Sequence, residues 1–161
     1  MLECPRDPEV LKNWIVDKTI VLYQMAENRN DFFLLHGITA SWALANIIPL
    51  LKSTEDKLDV LQKFLCILLA VYIAKDRPKL NPAYLESPDV SSLTWEDIIA
   101  RTLKMPMGTD EHEYKVVHVC HEAALRNPES SDLCKRACCT VHDYFYHTRS
   151  FSESRKRPEA Q

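Results

Sequence analysis
The sequence predicts an all-α fold, a compact bundle of about six helices with no sheet. Three observations carry that prediction. Apolar residues recur at three- and four-residue spacing through several long segments, as one face of a helix requires. No short segment alternates apolar and polar residues between turn signals, so no strand is predicted. The 161 residues include 2 Gly and 9 Pro, a balance that suits helices parted by proline breaks rather than a glycine-studded barrel.

The elements follow in order. Val10, Leu11, Trp14, Ile15, Ile20, Leu22, Tyr23 and Met25 make an apolar stripe over a helix at 8–27, broken by Asn28-Arg29-Asn30. Asp31 is the N-cap of a helix at 32–48 that Pro49 ends. Ser53 with Asp56 predicts a capping box for a helix at 54–76. Pro78, Pro82 and Pro88 make 77–93 an irregular connection, with a short helical turn starting at Asn81-Pro82. Thr94 and Asp97 cap a short helix running to about Lys104. Met105–Thr109 is a loop, Asp110 and Glu113 cap a helix at 111–126, and Asn127-Pro128 precedes the last helix at 129–147. Residues 1–147 thus read as a single helical domain and 148–161 as a disordered tail.

Composition excludes several function classes. The net charge is -3, so there is no basic footprint for nucleic acid. Neither GxGxxG nor GxxxxGKS/T occurs, which removes those two nucleotide-binding devices. The first residues show no basic segment leading into an apolar one. The expected location is therefore cytoplasmic, with the 6 Cys reduced. Phe32–Leu51 lacks Asp, Glu, Lys and Arg but holds His36, Gly37, Thr39, Ser41, Asn46 and Pro49. It reads as a helix buried in protein rather than one spanning a membrane.

Candidate chemistry sits on three helices. His36 shares a face with Thr39, Ala40, Ala43 and Ile47, small residues that leave room beside an imidazole. A core histidine bonded to a backbone carbonyl accounts for it equally. On the helix at 111–126, His112 and Lys115 are i,i+3 neighbours flanked by Val116 and Val119. His118 and Glu122 are an i,i+4 pair that reads as a solvated hydrogen bond or a pair of ligands, and His121 lies nearly opposite His112. Cys134, Cys138 and His142 have i,i+4 spacing open to a zinc site or to small buried thiols.

Three runs carry a resemblance to a known family. Asp31–Ser41 resembles the DFFLxHxxT motif of the questin oxidase-like family. Val71–Pro78 resembles the end of that family's next helix, and Asp110–Lys115 its late DxHxxK motif. The motifs lie in the family's order within residues 8–126. The resemblance implies an all-α oxidoreductase that oxidises small aromatic polyketide-type substrates with dioxygen, NADPH being associated with questin oxidation. It also implies non-haem iron held by histidines and a carbamylated lysine. Carried onto this sequence, His36 and His112 are iron ligands and Lys115 the carbamate. Burial of Lys115 against Val116 and Val119 would favour the neutral amine that reacts with carbon dioxide. Family members are longer, and this chain resembles their C-terminal portion, so the site would be partial.

Three readings therefore compete: an oxidoreductase using His36, His112 and Lys115; a non-catalytic helical interaction module that keeps the fold; and a zinc protein using Cys134, Cys138 and His142. Geometry separates them. Two ligand nitrogens, each about 2.1 Å from one metal, lie roughly 3–4 Å apart. Leu34, Leu35, Ile38 and Trp42, which crowd around His36, are expected to leave an exposed apolar patch and to drive self-association.

Overall fold
A computed structural model of the chain describes residues 5–28, 31–105 and 111–154, with side chains through His142. Among these residues there are six helices: α1 (Pro8–Met25), α2 (Phe32–Ile47), α3 (Thr54–Ala74), α4 (Trp95–Leu103), α5 (Glu111–Arg126) and α6 (Ser131–Ser154). Short 3₁₀ turns at Ile48–Leu50, Pro82–Leu85 and Pro128–Ser130 join them. Among the described residues the one β-type pairing is an isolated antiparallel bridge, Ala26 with Leu80.

The helices α2, α3 and α4 start where their caps predict, and α1 carries a cap of its own. The Asp7 carboxylate accepts from the backbone N–H of Glu9 and Val10, with Pro8 in the first turn. Asp31 accepts from Phe33 and Leu34, and the Ser53 hydroxyl from Asp56. Thr94 and Asp97 complete a reciprocal capping box. Asp110 lies outside the described residues. The ends differ more. After α3 the chain turns through Asp76 and Arg77 at φ 58° and 50°, both left-handed, before Pro78. The last helix continues past His147 to Ser154, and 155–161 lie outside the described residues.

The main core joins α1, α2, α5 and α6 around Ile20, Tyr23, Leu35, Ile38, Val116 and Cys138. A second cluster of Leu11, Ile15, Ile48 and Leu61 holds α3 against α1. Leu34, Leu35 and Ile38 are buried, and Trp42 packs half-buried on the main core. The apolar patch expected around His36 is thus closed, because those side chains face neighbouring helices. Exposed apolar surface lies instead at Phe32, Phe33, Ile47 and Leu50, and on α3. By length and composition Phe32–Leu50 could cross a membrane; in this fold α2 packs on α1, α3 and α5.

Asp17 on α1 faces Arg126 and Asn127 at the end of α5, each at 3.5 Å. Burial raises its carboxyl above its ordinary value, against the opposing pull of Arg126. A raised folded-state value makes the charged form a liability: Asp17 favours folding below its unfolded value, and that contribution is lost as pH rises through the folded one. Asp17→Asn is therefore expected to raise the melting temperature at neutral pH, with the gain vanishing near pH ~3, where the native carboxyl is protonated. Thermal melts across that window check it; a gain that persists or grows in acid contradicts the assignment.

Candidate metal centre
The first turn of α2 and the first turn of α5 converge, and each presents an imidazole. Asp31 fixes the start of α2 through its two backbone hydrogen bonds, and its other oxygen lies 3.4 Å from Lys75 Nζ at the end of α3. Lys75 also stands over the Phe33 ring, 4.9 Å from its centre. One residue past His36, Gly37 lets α2 lie close to α3; a Cβ there would sit 3.3 Å from Leu68 Cδ2. These contacts set the depth and rotation of the turn that carries His36.

His36 Nδ1 lies 2.7 Å from the Phe32 carbonyl oxygen. A carbonyl can only accept, so Nδ1 carries the proton and Nε2 keeps its lone pair. That Nε2 lies 3.2 Å from Nε2 of His112. With no ion between them the two rings share a hydrogen bond, the His112 nitrogen donating. With both nitrogens unprotonated, the same spacing is that of two neighbouring ligands on one metal. The Phe32 ring lies beside both imidazoles, with centroids 4.3 Å from His36 and 5.1 Å from His112. Both histidines are half-buried and Phe32 is 54% exposed, so the pair sits at the rim of the bundle.

The structure brings His36 and His112 together and places Lys115 elsewhere. Its Nζ lies 2.9 Å from Glu111 Oε1, one helical turn back, and the side chain is half-exposed. Val116 and Val119 are buried, but Lys115 projects away from them, so the burial expected to favour carbamylation is not present. His118 and His121 do not join the pair. His118 packs edge-on against Trp42, and His121 packs tilted against Trp95, both with ring centroids 5.0 Å apart.

The zinc reading is overturned. Cys134 and Cys138 are buried in the main core beside Cys120. A hydrogen bond with Cys120, together with burial, pushes the Cys134 thiol far above the ordinary thiol range. His142 turns from them toward Glu113 and Thr102. Among the described residues no group of three or more His, Cys, Asp or Glu is placed to hold a metal ion.

Sequence reasoning missed the role of Glu113. Instead of serving a helix cap it is fully buried, its Oε1 3.1 Å from His142 Nε2. The Thr102 hydroxyl donates to the Ile98 carbonyl at 2.8 Å and so accepts from His142 Nε2 at 2.9 Å. His142 Nε2–H is therefore directed to Thr102, with the Glu113 carboxylate 3.1 Å from the same nitrogen, so the cluster joins α4, α5 and α6. The signal available was a carboxylate one residue after His112 on a face rich in valine. Thr102 also lines a cavity of about 230 Å³ between α4 and α5, with Tyr114, His118 and His121.

Comparison with known proteins bears on the paired histidines. The family model for questin oxidase-like proteins matches residues 14–120, a span that includes His36, His112 and Lys115. No curated protein matches the chain. No solved structure matches it either.

Proposed function
Since the chain belongs to the questin oxidase-like family, we propose that it is an oxidoreductase whose His36 and His112 hold a non-haem iron ion and which oxidises a small aromatic polyketide-type substrate with dioxygen. The observation that carries this reading is the 3.2 Å approach of the two Nε2 atoms. The residues fit such an ion in kind as well as in spacing. Imidazole suits iron, and the Phe32 carbonyl fixes the His36 tautomer so that Nε2 is free to ligate. Bound iron supplies a redox-active Lewis acid with positions open to small molecules. Phe32 offers an apolar ring face beside the pair for a flat aromatic substrate. NADPH is the reductant that the family resemblance supplies. Lys115, ion-paired to Glu111, is left out of the ligand set.

A fold-retaining interaction module without catalysis is the second reading. It is favoured by the gathering of two rather than three ligand side chains among the described residues. Elemental analysis of the purified protein separates the two. The enzyme reading expects iron in the native protein and its loss from both His36→Ala and His112→Ala with helicity unchanged. A metal-free native protein after anaerobic supply of ferrous iron, or iron retained in both variants, overturns it.

A further inference from the structure
We propose that the outer face of α3 is a self-association surface on which a second copy of this chain docks, α3 against antiparallel α3. The proposal stands apart from the metal reading and survives its failure. The helix runs from Thr54 to Ala74 and fully buries only Leu61. Its inner side, through Leu58, Leu65 and Leu68, packs on the second core cluster. The outer side is apolar as well. Ile67, Leu69 and Ile73 are 57%, 59% and 54% exposed, and Cys66, Ala70 and Ala74 between them are exposed too. A helix apolar on every side normally lies enclosed by protein. At the Leu69 edge the patch runs into a groove of about 280 Å³ between α3 and α1, lined by Trp14, Leu22, Leu65 and Tyr72 among others.

Charge identifies the occupant. The amino-terminal half of the same outer face carries Glu55, Asp56 and Asp59 against Lys63, all exposed, a net acidic end, and the turn beyond the carboxyl-terminal end exposes Arg77 and Lys79 against Asp76, a net basic one. An antiparallel copy lays its acidic end over the partner's basic turn, and two-fold symmetry repeats that match at the other end. A parallel copy would set like charge on like. With the two-fold axis level with Leu68, Cys66 stands at the height of the partner's Ala70, two short side chains that let the helices approach. The acidic end around Asp59, which is ion-paired to Lys63 on its own helix at 2.6 Å, then lies toward the partner's Arg77 turn, and Leu69 of each copy meets its equivalent beside the groove.

Sedimentation equilibrium on the full chain tests this. The expected result is a reversible monomer–dimer equilibrium at micromolar concentration. Leu69→Lys and Ile73→Glu, both at exposed positions, each raise the dimer dissociation constant by about 100-fold. Asp59→Arg and Arg77→Asp each raise it by roughly tenfold, and the double reversal restores it to near the native value. Circular dichroism verifies that the variants keep native helicity. A protein that stays monomeric at about 100 μM, well above the dissociation constant expected of such a contact, overturns the proposal. So does a dimer indifferent to both apolar substitutions, or a double reversal no better than the single ones. Uptake of a monomeric native protein by phosphatidylcholine vesicles also overturns it, assigning the face to a membrane.

Discussion
Glu113→Ala is expected to cost about 3–5 kcal/mol of folding stability. Its carboxylate is fully buried, 3.1 Å from an imidazole nitrogen that is itself sealed from solvent. Alanine removes the carboxylate that lies against the His142 imidazole and opens a cavity beside it, while the Thr102 hydroxyl still accepts from His142 Nε2. Glu113→Gln keeps the volume and an acceptor oxygen, so its cost is smaller, about 1–2 kcal/mol. Removing both members as Glu113→Met with His142→Leu is expected to recover part of the loss, because neither polar group is then left in the core. Urea denaturation of the four proteins measures this. A cost below about 1 kcal/mol for Glu113→Ala would show that the buried pair does not form.

Gln24→Met is expected to cost about 2–4 kcal/mol while preserving side-chain length. Gln24 is fully buried on α1. Its Nε2 donates to the carbonyl oxygens of Tyr84 and Ser87 at 2.7 and 3.1 Å, and its Oε1 accepts from Thr140 at 2.9 Å. A single amide thus ties α1 to the Pro82–Leu85 turn and to α6. Methionine fills the space and satisfies none of the three. The connection between α3 and α4 then keeps Arg136, which donates to the Pro88 carbonyl at 3.1 Å, Tyr72 on the Pro78 carbonyl, buried Val90 and the bridge at Ala26 and Leu80. Hydrogen exchange at residues 82–88 is expected to accelerate more than exchange in α5. Equal acceleration throughout would mean that Gln24 acts on global stability alone.

The sequence made the helices legible because their caps are local. Asp31, Ser53 and the Thr94–Asp97 box act within one turn of themselves, so their chemistry can be read before any tertiary contact is known. The carboxyl-terminal end of α6 was not legible from composition. Its polar residues beyond His147 continue a helix already nucleated, and extension costs far less than nucleation. From sequence Glu113 reads as a cap, because a carboxylate in a first turn usually is one. Its inward orientation depends on His142, which is distant along the chain.

Lys115 shows the opposite failure, in which a local effect displaces the expected one. Its i,i+3 relation to His112 is real, but Glu111 one turn back offers an ion pair that needs no burial. The apolar patch was misplaced for a geometric reason. In runs such as Phe32–Leu35 and Phe64–Ala74 nearly every position is apolar, so periodicity cannot tell which face meets the core. The meeting of His36 and His112 had no local signature at all; only the motif resemblance joined them.

The most direct test of the central claim is a titration of zinc ion, as a diamagnetic stand-in for iron, into protein with ¹⁵N-labelled histidine. If the two rings are ligands on one ion, the Nε2 resonances of His36 and His112 move together with a single midpoint, while His36 Nδ1 remains protonated on the Phe32 carbonyl. Movement of one ring alone, separate midpoints, or loss of the His36 Nδ1 proton would contradict it.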